Sequence, residues 1–139
     1  MTTVDDHTAL YILATRKAFE DLRQAVSQLA GALVLASAGA KNEFFNPGQT
    51  RRLHQQAVES LRDARLSVRA AVHHAHLLRA AEDLETALKK AGMPLDVDAV
   101  LPPLRCSYEA LQKASQTLPG FEMVAFEQGC CSALQGSKI

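Results

Sequence analysis

Residues 57–81 read AVESLRDARLSVRAAVHHAHLLRAA, and how this stretch is folded decides the architecture. Ala57, Leu61, Ala64, Val68, Ala71, Ala75 and Leu78 recur at alternating intervals of four and three. That is the heptad rhythm of helices packed at a shallow angle. No Pro or Gly falls between Gln49 and Ala91. The pattern predicts one helix over 47–91, roughly 65 Å long. Four of its seven seam residues are alanine, so a neighbouring helix can approach closely.

The flanking segments carry the same period. Asp5 or Asp6 can cap a first helix over 6–38, whose seam is Phe19, Leu22, Val26, Leu29, Leu33 and Ala36 and which ends before Gly39. Asn46, Pro47 and Gln49 form a start signal: Asn caps, Pro suits the first helical position, and Gln can complete a capping box. Phe44 and Phe45 are expected to fold over the end of the bundle. Gly92 and Pro94 close the long helix. Asp96 or Asp98 opens a helix over 98–118, with Pro102 and Pro103 in its first turn or just ahead of it. Its seam is Leu101, Leu104, Tyr108, Leu111, Ser115 and Leu118. Phe121, Val124, Ala125 and Ala133 suit a short docked segment over 121–135. The expected fold is an all-α, up-down helical bundle. It has three long or medium helices plus a docked C-terminal helical segment, four-helix-bundle-like, in a single domain over 1–139.

Composition narrows the function classes. The 139 residues are 47% hydrophobic and 22% charged, enough for an ordinary buried core without metal or disulfide. The formal net charge is zero and there is no Trp. Global attraction to nucleic acid or anionic lipid, and stacking of bases, are therefore disfavoured. The first residues, MTTVDDHT, carry acids where a secretory leader carries basic residues. The most apolar run, LAGALVLASAGA at 29–40, is too short to cross a bilayer. Cys106, Cys130 and Cys131 are odd in number and two are adjacent. They suggest no disulfide framework and favour a cytoplasmic home.

His73, His74 and His76 fall within four positions of an alanine-rich stretch. On one continuous helix Arg62, Arg65, Arg69, His73 and His76 share a sector of about 80°. Residues 51–79 hold six arginines and two acids, while Glu82, Asp83, Glu85, Asp96 and Asp98 cluster beyond them. Such a basic stripe can meet an acidic protein, an anionic ligand, or the chain's own acidic segment in a dimer. No metal or other cofactor is implied: His74 points about 100° away from His73, and the positions three before His73 and His76 are Ala70 and His73. They lack the carboxylate of a Glu-x-x-His di-iron motif. A metal-binding bundle would need ligands from other helices.

Two enzymatic resemblances rest on short matches. Arg69-Ala70-Ala71-Val72-His73-His74 has the Arg-x4-His spacing and so resembles the HEPN helical-bundle ribonucleases. That resemblance implies phosphate contact by Arg69 and proton transfer or orientation by His74. His76-Leu77-Leu78-Arg79-Ala80-Ala81 is similar to the phosphohistidine site of histidine phosphotransfer bundles, with Arg79 and Ala80 in place of that site's Lys and Gly. The preferred reading is a binding module without identifiable catalysis. Gly31–Ala36 is apolar all round and needs cover on every side. Together with the overlong second helix, it points to a homodimer.

Overall fold

The computed structural model describes residues 6–39, 46–64, 66–92, 95–121 and 123. It is an all-α four-helix bundle: α1 Asp6–Ser37, α2 Pro47–Asp63, α3 Val68–Lys90 and α4 Val97–Thr117. Phe44, Phe45, Arg65, Pro94, Cys130, Cys131 and most of 121–135 lie outside the described residues.

Side-chain bonds fix the direction of each helix. Gln28 of α1 accepts from the Thr50 hydroxyl at the start of α2 (2.7 Å). Arg51 of α2 donates to the Leu88 carbonyl near the end of α3 (3.1 Å). Ser107 of α4 donates to the Ala80 carbonyl of α3 (2.7 Å). Phe121, just past α4, packs edge-on against Phe19 of α1 with ring centroids 5.4 Å apart. The helices therefore run up, down, up, down, and α3 and α4 share the largest contact.

The first helix matches its expected seam. Phe19, Leu22, Val26, Leu29 and Leu33 are buried in one core, while Ala36 is half-buried. Gly39 ends the helix at φ 78°, where only glycine avoids a steric cost. Asn46 caps α2 by accepting from the Gln49 amide (3.1 Å), with Pro47 at the first helical position. Asp96 caps α4 by accepting from the Ala99 amide (3.3 Å). That cap starts α4 at Val97, so Pro102 and Pro103 fall in its second turn, deeper than expected. Proline nitrogens cannot bond the Asp98 and Ala99 carbonyls; exposed Asp98 and half-buried Ala99 leave these oxygens near solvent.

The helix expected over 47–91 is two helices. The chain turns at Ala64–Ser67, and Ser67 opens α3 by accepting from the Ala70 amide (3.2 Å). No Pro or Gly causes the break. The apolar pattern changes sides there. Ala57 and Leu61 form the buried face of α2, whereas α3 buries Ala70, His73, Leu77, Ala80, Leu84, Ala87 and Leu88. On one straight helix these two sets would point roughly 160° apart. A single core can cover both only if the chain folds back. The fourth helix of the bundle thus comes from this split. Of the expected C-terminal segment, Phe121 and Met123 are buried. Phe121 reaches the core because Gly120, at φ 91°, turns the chain where a Cβ would lie 2.9 Å from the Arg16 guanidinium.

Ser67 makes a second bond, hydroxyl to hydroxyl, with Thr8 of α1 (2.9 Å). We expect Ser67→Ala to lower the unfolding free energy by about 1–2 kcal/mol, read by urea denaturation, with Ser67→Asp losing less because it can still cap. A variant as stable as wild type would mean that packing alone holds the turn.

Candidate functional site

Helix α3 carries Arg69, His73, His74 and His76, and the hairpin sends them to different environments. His73 is fully buried. Its Nδ1 lies 2.8 Å from the Tyr11 hydroxyl of α1. The two rings meet edge to face, with centroids 5.4 Å apart, and Phe121 covers the imidazole with its centroid at 4.0 Å. Burial holds the His73 pKa down, with the positive charges of His76 and His74 adding to the effect, to about 4. The imidazole is neutral at pH 7. Burial also pushes the Tyr11 phenol well above its usual range, opposed by a hydrogen bond with the Thr15 side chain. His73 Nε2 has no partner among the described residues. The pair is a polar link between α1 and α3 sealed inside apolar core.

The other histidines serve backbone carbonyls. His74 Nε2–H donates to the Leu61 carbonyl at the end of α2 (2.8 Å). The same carbonyl accepts from the Ala64 amide at 3.4 Å, so the imidazole adds a second, shorter bond at the end of α2. His54 Nε2–H donates to the Ala81 carbonyl of α3 (2.9 Å). Since carbonyls only accept, Nε2 must carry the proton in both rings. His76 is half-buried.

The expected stripe of Arg62, Arg65, Arg69, His73 and His76 does not form as one face. Arg62 is exposed on α2, Arg69 is exposed on α3, and His73 is in the core; Arg65 lies outside the described residues. The turn at Ala64–Ser67 breaks the register that would have aligned them. Arg69 and His74 are about 140° apart around α3, and the His74 Nε2 is already bonded. Among the described residues no group of three or more His, Cys, Asp or Glu could hold a metal ion. No helix among them is long and apolar enough to cross a membrane.

Tyr11, Thr8 and Ser67 escape a reading based on hydrophobic period, because two of them are small and polar. The signal was present: extending the α1 seam back from Phe19 in steps of four, four and three reaches Thr15, Tyr11 and Thr8, all buried.

The clearest surface feature is the outer side of α3. The seam expected to be buried, Val68, Ala71, Ala75 and Leu78, faces outward instead. Val68 is 93% exposed, Val72 56% and Leu78 37%. This face lies roughly 170° from the buried one. From Val68 to Leu78 it carries no charged residue; Arg79 and Glu82 follow. Two hollows flank it. One, of about 640 Å³, lies between α2 and α3 and is lined by His54, Val58, Glu59, Arg62, Leu78 and Glu82 among others. A smaller one, of about 380 Å³, is formed by Ala75, Leu78, Arg79, Glu82 and Asp83.

A neutral buried His73 makes stability depend on acid. The unfolded chain takes up a proton near pH 6.5, but the folded chain does so only near pH 4. Stability is therefore full above about 6.5 and falls as pH drops toward 4, by on the order of 3 kcal/mol. Urea denaturation at pH 7 and pH 4, at one protein concentration, should show that extra loss in wild type relative to His73→Leu. Equal losses would remove His73 from the acid response.

Comparison of the chain with protein-family models, with curated proteins and with solved structures gave no match.

Proposed function

We propose that this protein is a non-enzymatic helical-bundle interaction module that docks a helix, in the first instance from a second copy of itself, on the outer face of α3. One observation carries the reading: α3 is apolar on two opposite sides, and the bundle covers only one of them. A bundle helix of a lone chain ordinarily places charge on its outer side. Here Val68, Val72 and Leu78 stand there with Ala71 and Ala75 between them. Large residues give contact area, and the alanines let a second backbone come close.

The magnitudes set the kind of complex. Full burial of a Val or Leu side chain is worth roughly 1.5–3 kcal/mol. Because Val68 is 93%, Val72 56% and Leu78 37% exposed, the surface left to bury on both copies is worth roughly 6–11 kcal/mol, against an association cost of about 4–15 kcal/mol. The reading is therefore of a reversible, concentration-dependent dimer. A cytoplasmic setting fits it, since the odd cysteine count suits a reducing compartment. Arg62, exposed beside Leu78 at the edge of the docking face, would meet an acidic group of the partner.

Sedimentation velocity from low to high micromolar concentration tests the reading. Wild type should shift from monomer toward dimer. Val72→Glu should stay monomeric with unchanged helicity by circular dichroism, because Val72 lies outside the core. A wild-type protein that remains monomeric at hundreds of micromolar would end it.

A further inference from the structure

We infer that residues 119–123 form a hinged strap closed over the Tyr11–His73 pair, and that a proton on His73 opens this strap while the four helices stay folded. The strap leaves α4 through Pro119 and Gly120, both exposed, and turns inward at Gly120 with φ 91°. It carries two buried side chains, Phe121 and Met123. Phe121 covers the His73 imidazole with ring centroids 4.0 Å apart and meets Phe19 edge-on at 5.4 Å. Among the described residues, no backbone bond outside the helices involves 119–121. The described part of the strap is thus held by side-chain packing. Such a segment opens at lower cost than a helix, whose release also breaks a backbone ladder.

His73 is the group to which this cover is sensitive. It is fully buried, and Tyr11 occupies its Nδ1. A proton makes both ring nitrogens donors. Nε2 then has no acceptor among the described residues, and a buried charge without its bonds is costly. The surrounding elements do not offset that charge. On α1, the Arg16 guanidinium lies against Gly120, while exposed His7 shares an outer hollow with Tyr11 and exposed Asp63. Buried Asp21 stands ten residues beyond Tyr11, about 15 Å along the helix, and is bonded to Lys17 at 2.9 Å. On α3, His74 and His76 oppose a positive charge on His73, and Arg69 is exposed. Neither α2 nor α4 buries a charged residue; Arg62, Glu109 and Lys113 are exposed. Glu122 lies outside the described residues. Opening the strap lets water solvate the imidazole and re-exposes only Phe121 and Met123, so the protonated ring favours the open form. An uncovered histidine takes its proton near pH 6.5 and the covered one only near pH 4. Opening therefore becomes about a hundredfold more frequent as pH falls from 7 to 4.

Thiol labelling with a pyridyl disulfide reads the opening. The background is the full chain with Cys106, Cys130 and Cys131 replaced by serine, shown by circular dichroism to keep wild-type helicity. In it, Met123→Cys reports the strap and Ala87→Cys, at a fully buried position of α3, reports unfolding of the bundle. Each rate is divided by that of the same chain in denaturant at the same pH, which removes the thiol's own pH dependence. The ratio for Met123→Cys should rise about a hundredfold from pH 7 to pH 4, and Ala87→Cys should stay far better protected at both. With His73→Leu or His73→Met, whichever retains helicity, the rise should vanish. A ratio that does not rise, or that rises equally without His73, would overturn the inference. So would equal labelling of positions 123 and 87 at pH 4, which would mean that the bundle opens as a whole. A rise that is lost in Glu122→Gln but kept without His73 would assign the response to that carboxylate and overturn the role of His73.

Discussion

The reversal at Ala64–Ser67 is the constraint on which the rest of the structure depends. Upstream, the apolar residues of α2 lie on one side; downstream, those of α3 lie on nearly the opposite side. A continuous helix would leave one set in water. The lost burial would include Leu77, Leu84 and Leu88, each nearly or fully buried in the hairpin. At roughly 1.5–3 kcal/mol for each large side chain, this exceeds the cost of interrupting a few helical hydrogen bonds. The turn needs no helix breaker, because Ser67 caps the new helix and His74 closes the old one. Four bonding groups therefore meet at one end of the bundle: the Ser67 hydroxyl, the Thr8 hydroxyl, the His74 imidazole and the Leu61 carbonyl.

Much of this was legible in the sequence, and the failure has a specific cause. The helical class, the cap at Asn46 and the core seam of α1 follow from period and capping chemistry, whereas for α4 the sequence left the cap open between Asp96 and Asp98. Residues 57–78 contain two overlapping 3-4 patterns, however. One runs through Ala64, Val68, Ala71 and Ala75. The other begins at Ala70 and His73. Following the first gives an unbroken helix and counts His73 as a surface base. The second includes a histidine at a core position, so it scores lower on hydrophobicity although it collects the larger leucines. Only tertiary contact with α4 and α1 decides between them. The misplaced stripe of Arg62, Arg69, His73 and His76 is a direct consequence of that one choice.

The histidines then make physical sense without catalysis. An alanine-rich helix has few large side chains with which to specify its neighbours. His73, His74 and His54 supply directional bonds instead, to a phenol on α1 and to carbonyls of α2 and α3. Such bonds fix rotation and height as well as distance, which apolar contact between alanines does poorly. The Tyr11–His73 link is held neutral by the same burial that makes it strong. A proton on His73 would have to sit under the Phe121 ring, so acid works against the core at this point.

The overlap of the two patterns in α3 has one more meaning. The sequence that misleads about the core is the same sequence that faces outward, and its regularity requires a physical reason. Solvated helix faces are normally rich in Lys, Glu and Arg, as α3 itself is from Arg79 to Lys90. The exposed valines at its start gain nothing from water, and β-branched side chains are mediocre helix formers. Neither local propensity nor the internal core accounts for Val68 and Val72 on this face. The docking proposed above would account for both, and for the alanines set between them. The same two-sidedness explains which face turns inward: Leu77, Leu84 and Leu88 are nearly or fully buried and remove more apolar surface from water than Val68, Val72 and Leu78 would. The stronger seam closes the bundle, and the weaker one is left exposed.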